Sequence, residues 1–218
     1  MSLYVGRIVC VARASDGRVC AAYRVSSRSF PNRTAVQTEH SVSIVPKAGH
    51  EKDVQRNPYI AYNCVRIVAG GKVAVVTNGS QTDPIAEKID AGMSARDALV
   101  LSLLALDYEK DAYNTPRICA VADNRGNGAL WLGIVRKDGI NVREIPLDKG
   151  RFQYITTYEE NDIDASQAGT FPCSNANETC EFLLGGDVFS QRLNPVAAVS
   201  AIATGTGFEL VTKDAAQT

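Results

Sequence analysis

Four polar runs carry residue types suited to gripping a small anion: 23–33 (Tyr-Arg-Val-Ser-Ser-Arg-Ser-Phe-Pro-Asn-Arg), 56–64 (Arg-Asn-Pro-Tyr-Ile-Ala-Tyr-Asn-Cys), 77–83 (Thr-Asn-Gly-Ser-Gln-Thr-Asp) and 107–117. They mix cations, amides, hydroxyls and carboxylates at the ends of apolar stretches, where function is usually displayed. In an extended segment Arg24, Ser26 and Arg28 share a face, and two-residue steps of roughly 6–7 Å set the outer pair about 13 Å apart, the length of a mononucleotide. Arg33 follows the Phe30-Pro31-Asn32 turn, which can fold it back, and guanidinium forks beside Ser and Asn suit a phosphomonoester. The same residues also fit a solvated strand edge.

Tyr59, Tyr62 and Asn63 precede a buried strand, where a phenol can stack on a base, donate to a carbonyl or act as a core lid. Asn78-Gly79-Ser80 forms a permissive turn that leads through Asp83 into a helix, offering amide donors to an anion or a carbonyl oxygen. Asp107, Glu109 and Asp111 fall at the expected C-terminal end of a long helix, where the macrodipole disfavours negative charge and Lys110 only partly compensates. His40 and His50 are the only imidazoles, which argues against a His-dependent triad or a His-rich metal site.

The elements that must position these residues begin with Val- and Ile-rich runs at 4–12, 19–25, 42–45, 64–69 and 73–77, which read as strands. Asp16-Gly17 and Gly70-Gly71 mark hairpins, so the early sheet is expected to be antiparallel. The stretch 26–42 shows no period and reads as a functional excursion. Helices are expected over 84–91 and 94–109, the second apolar around most of its circumference and therefore suited to a sheet on one side and a subunit on the other. Strands follow at 117–122, 129–135, 140–145 and 151–157, then a polar segment at 159–179, a helix at 195–203 and a strand at 208–212. This pattern implies an α+β fold of two stacked antiparallel sheets with helices outside. One domain over residues 1–213 and a disordered tail over 214–218 are expected.

With 23 basic and 24 acidic side chains among 218 residues, the net charge of −1 gives no field that would draw the chain onto nucleic acid or an anionic membrane. The start lacks a charged segment followed by a long apolar one, and 98–106 is too short to span a bilayer, so a cytoplasmic protein is expected. The six cysteines are scattered among apolar residues, as reduced thiols are. Cys173 and Cys180 alone lie close together in a polar stretch, and two unpaired thiols fit better there than a disulfide or metal clip.

Read together, the stretches 4–8, 23–34, 49–51, 56–67, 77–83, 92–104 and 107–117 resemble the archaeal-type IMP cyclohydrolases, over most of residues 4–135. The resemblance implies a four-layer α-β-β-α sandwich like that of the N-terminal-nucleophile hydrolases. It also implies a cyclic amidine hydrolase that closes 5-formamidoimidazole-4-carboxamide ribotide to inosine monophosphate, without cofactor or metal, as a homo-oligomer, with a tetramer favoured. On this reading Arg24, Ser26, Arg28 and Arg33 hold the phosphate and ribose, and Asn32 supports the turn. Tyr62 and Asn63 face the reacting groups, Asn78 and Ser80 add polar contacts, and Glu109 is the acid/base, tuned by Lys110 and Arg117. The same fold resemblance raises an amidohydrolase using Ser2 after removal of Met1. A non-catalytic purine-nucleotide-binding regulator is a third reading.

Overall fold

The computed structural model describes residues 2–216. Two sheets stack face to face. The six-stranded sheet runs in the order β11 (Ala168–Thr170), β10 (Arg151–Thr156), β1 (Ile8–Arg13), β2 (Val19–Ser26), β12 (Pro195–Ala203) and β13 (Phe208–Asp214). The seven-stranded sheet is a meander of β3 (Arg33–Gln37), β4 (Ser41–Pro46), β5 (Tyr62–Val68), β6 (Val73–Thr77), β7 (Arg117–Asp123), β8 (Ala129–Arg136) and β9 (Gly139–Glu144). Their pairings are antiparallel, and the hairpins β1–β2 and β5–β6 turn at the glycines expected for them. Besides a single turn of helix, α1 (Asp53–Arg56), the α-helices among the described residues are α2 (Thr82–Asp90), α3 (Ala95–Leu106) and α4 (Ala176–Gly185).

Period-two alternation builds the layers. Val9, Val11, Tyr23 and Val25 of the first sheet meet Val42, Ile44, Val65 and Ile118 of the second in a central core. On the outer face of the first sheet, Ile8, Cys10, Cys20 and Phe152 pack against Cys180 and Leu183 of α4. On that of the second, Val73, Val75 and Val121 pack against Ile85 and Ile89 of α2 and Leu99 and Leu103 of α3. The result is the expected α-β-β-α order. Burial on both faces explains the near-continuous apolar runs of β1, β6 and β7.

Residues 195–203 form strand β12, not the expected helix. Ala197, Val199, Ala201 and Ala203 face the central core while Ala198 and Ile202 face α4, and pairing with β2 and β13 on both sides overrides the alanines' helical preference. A helix absent from the sequence reading, α4, starts where Asn175 caps Glu178 N at 2.9 Å and Glu178 accepts from Ser174 N at 2.7 Å. The excursion after Ser26 contains edge strand β3, paired with β4. Helix α3 ends at Leu106, because Asp107 adopts a left-handed φ of 56°. The last strand continues through Asp214, and Ala215 N donates to Val196 O at 2.9 Å, so the first two residues of the expected tail are held to the sheet; its last two residues lie outside those described.

Candidate active site

Tyr23 of β2 and Tyr62 at the start of β5 belong to the inward phases of opposite sheets, and their hydroxyls meet at 2.6 Å. Beside them lies Arg7, just ahead of β1. Its backbone is clamped to Thr157, with Arg7 N donating to Thr157 Oγ1 and Thr157 N to Arg7 O, both at 3.0 Å. The preceding Gly6 has φ of 71°, and a Cβ there would fall 2.1 Å from Thr157 Oγ1, so only glycine fits this clamp.

Arg7 Nη2 donates to Glu109 Oε2 at 3.1 Å. Glu109 is only 1% exposed. Its position comes from the loop after α3: Glu109 N donates to Thr115 O at 2.8 Å, and Asp111 accepts from Thr115 N at 2.9 Å and Thr115 Oγ1 at 2.7 Å. Arg117, at the start of β7, anchors the loop through Nε to Asp107 O at 2.8 Å and brings Nη1 to 3.8 Å from Glu109 Oε1. Two buried polar atoms have no hydrogen-bond partner here, the acceptor Glu109 Oε1 and the donor Arg7 Nε. Such orphans inside a folded protein call for an explanation, and a ligand supplies one.

Burial raises the Glu109 carboxyl above its ordinary value of 4.5, and Asp111 adds to this, against the pull of Arg7 and Arg117. Burial works against the Arg7 charge, but Glu109 and the phenols of Tyr62, Tyr23 and Tyr158 outweigh it and hold Arg7 firmly protonated. Both facing phenols are pushed up by burial and held back by Arg7 and Arg33; their mutual hydrogen bond adds to the rise for Tyr23 and restrains it for Tyr62.

Arg7 also lines a cleft of about 760 Å³ with Tyr4, Ser27, Arg28, Asn57 and Tyr158. Arg28 lies 4.1 Å over the Tyr4 ring, and Tyr158 packs against Tyr4 and hydrogen-bonds Thr115 at 2.9 Å. Arg7 therefore joins the cleft, the carboxylate and the phenol pair. Glu109 and Tyr62 act on Arg7 directly and Arg28 shares its cleft, while Arg33 acts on Tyr62 and Arg117 on Glu109; Ser80 touches Arg117 at 3.4 Å. Asn32 serves its turn through its backbone, accepting from Lys47 N at 2.9 Å.

The other expected site residues point elsewhere. Arg24 is fully buried on the α4 side of its sheet, where it donates to Ser26 Oγ at 3.0 Å and to the carbonyls of Leu183 at 3.0 Å, Phe189 at 3.1 Å and Arg192. Strand alternation puts Arg24 and Ser26 opposite in phase to Tyr23, and burial without a carboxylate, beside Arg192, lowers the Arg24 pKa to about 10. Asn63, likewise out of phase with Tyr62, donates to Asp83 at 3.0 Å and accepts from Ser43 at 2.6 Å. Asn78 is committed to Pro116 O at 2.9 Å and Ile118 N at 2.8 Å. Lys110 pairs with Asp107 and covers the Tyr108 ring at 3.5 Å rather than meeting Glu109. Ser2 is exposed, ahead of the bridge between Leu3 and Arg192, and Met1 lies outside the described residues. Arg7, Tyr23 and Tyr158 were not singled out as site residues by the sequence reading. A charge wedged between Gly6 and the apolar run of β1 is the signal that marks Arg7.

Among the described residues no three or more His, Cys, Asp or Glu side chains are arranged to hold a metal ion, and no helix is long and apolar enough to cross a membrane. The six cysteines are free and buried, and burial raises the thiols of Cys173 and Cys180 to about 11 and about 12.

A four-layer sandwich with a cleft lined by Arg7 and Arg28, the first of them paired behind the cleft with a buried carboxylate, has the features of a protein that handles a small anionic molecule. The chain belongs to the IMP cyclohydrolase-like protein family, whose model matches residues 4–207. Curated relatives named IMP cyclohydrolase include those of Methanosphaera stadtmanae, 45% identical over 91% of this chain and 94% of that protein, and Methanocella arvoryzae, 50% identical over 76% and 82%. The protein of that name from Methanocaldococcus jannaschii is 39% identical over 97% of this chain and 99% of its own.

Proposed function

We propose that the protein is an IMP cyclohydrolase of one catalytic domain, converting 5-formamidoimidazole-4-carboxamide ribotide to inosine monophosphate and water. The observation that carries the chemistry is the unpartnered Glu109 Oε1, held between two arginines beside a hydrogen-bonded phenol pair. The carboxamide nitrogen attacks the formyl carbon and gives one proton to Glu109. The formyl oxygen gains that proton's equivalent from Tyr62, with Arg7 stabilising its developing charge, and becomes a hydroxyl. The hydroxyl then leaves as water with the proton held by Glu109, while the former formamide nitrogen gives its proton back to Tyr62 and the ring double bond forms, so both groups end as they began. Because both reacting arms belong to one molecule, holding them together supplies much of the rate enhancement.

Arg28, with Ser27 beside it in the cleft, is assigned to the 5′-phosphate, and Arg33 backs Tyr62. The two arginines four residues apart then behave oppositely. Arg28→Ala raises KM at least about tenfold with a native melting temperature. Arg24→Met leaves KM unchanged but strips donors from buried carbonyls and destabilises the fold by roughly 3 kcal/mol. Steady-state kinetics and urea titration separate the two, and a KM effect confined to Arg24→Met reverses the assignment.

The reading itself is tested by following ring closure spectrophotometrically with purified protein and the formamido ribotide, without folate or metal. An absorbance change at protein-dependent rate is expected. Equilibrium binding of inosine monophosphate with no ring closure points instead to a nucleotide-binding regulator. The exposed Leu101, Leu104 and Leu106 of α3 support a homo-oligomer, with a tetramer expected by light scattering, and the free cysteines suit the cytoplasm.

A further inference from the structure

Gln81 is fully buried and does not line the cleft, yet it is linked to the carboxylate that the chemistry needs. Its Nε2 donates to Asn78 Oδ1 at 2.7 Å and to Ile118 O at 3.3 Å. Asn78 Oδ1 must be the acceptor, because it also takes Ile118 N while Asn78 Nδ2 gives to Pro116 O. The orientation of both amides is thus dictated by backbone groups, which leaves Gln81 Oε1 facing Arg117 Nη1 at 3.0 Å. That same Nη1 stops 3.8 Å short of Glu109 Oε1, outside hydrogen-bonding distance. All three atoms crowd the space over Gly79: a Cβ there would lie 2.8 Å from Gln81 Oε1, 2.9 Å from Arg117 Nη1 and 3.3 Å from Glu109 Oε1.

We infer that Gln81 is a positioning residue: it tethers Arg117 away from Glu109 Oε1 and so keeps that oxygen open to accept the substrate's proton. The use of the open oxygen rests on the proposed function; the tether does not. Arg7 already occupies Oε2. If Arg117 closed on Oε1 as well, both oxygens would be hydrogen-bonded to cations and the carboxylate would be a poorer base. The charged groups that bear on Glu109 are Arg7 ahead of β1, Arg117 on β7 and Asp111 in its own loop.

The test uses Gln81→Met, which removes the acceptor at similar volume, and Gln81→Glu, which holds Arg117 with a carboxylate and adds negative charge. The Glu109 side-chain carboxyl is titrated by ¹³C NMR in each, with the signal assigned from its loss in Glu109→Gln, and kcat/KM is measured against pH. In Gln81→Met the Glu109 titration and the acid limb of the profile are expected to move down together, with turnover reduced at least about tenfold. In Gln81→Glu both move up. A Glu109 titration identical to wild type in either variant that folds overturns the tether, whatever the activity. A titration that moves as expected while the acid limb stays fixed upholds the tether and removes Glu109 as the base.

Discussion

Glu109→Gln lowers kcat by about 10² to 10⁴ while leaving the fold intact, the loss typical of removing a positioned acid/base group. The replacement is isosteric, and its amide oxygen can still accept from Arg7 Nη2, so the loop that carries it keeps its anchors at Thr115 and Asp111. Only the capacity to take a proton is gone. In the wild-type enzyme the acid limb of the rate profile lies above the ordinary glutamate value of 4.5, because burial raises this carboxyl. As pH falls through that limb Glu109 becomes protonated and activity declines; in the variant the limb disappears from the residual rate. Stopped-flow ring closure across pH, with far-ultraviolet circular dichroism as the folding control, measures both. A folded variant with near wild-type kcat removes Glu109 from the chemistry.

Arg7→Met has the second largest effect, and it acts on stability as well as rate. Truncating one partner of a buried ion pair costs about 3 kcal/mol or more, since the remaining charge keeps its desolvation penalty. Here the remainder is a carboxylate whose nearest other cation stands 3.8 Å away. Glu109 responds by holding its proton to higher pH, and Tyr62 loses one of the two cations that restrain its pKa. Urea denaturation of Arg7→Met, Glu109→Gln and the double variant measures the coupling. The double variant is expected to be less destabilised than the sum of the singles by at least about 1 kcal/mol. Strict additivity means that the 3.1 Å contact contributes nothing.

Most of the fold was legible because its signals are local. The apolar runs and the glycine turns at 16–17 and 70–71 fix the hairpins, and Ser94 capping Asp97 N at 3.1 Å fixes the start of α3. Residues 195–203 misled because Ala-rich sequence satisfies a helix, and only pairing with both β2 and β13 makes it a strand. In the proposed site, Arg28, Arg33, Tyr62, Glu109 and Arg117 are the members that the sequence displays as charge and phenol at the ends of apolar runs. Arg24 and Ser26 were misassigned because the extended face they were given in common with Arg28 turns toward α4, and β2 ends at Ser26, before Arg28; Asn63 was grouped with its neighbour Tyr62, which β5 deals to the opposite face. Arg7 and Gln81 depend on contacts across 102 and 36 residues of chain; the charge at the head of an apolar run is the one local mark of Arg7, and it does not carry the partner.

The Tyr23–Tyr62 contact has a consequence for how the enzyme can change over time. Two hydroxyls mounted on separate layers act as a caliper, whose opening follows the thickness of the hydrocarbon filling between them. Enlarging or thinning that filling, at Val25 or Ile44 for example, therefore changes the Tyr23–Tyr62 contact from afar.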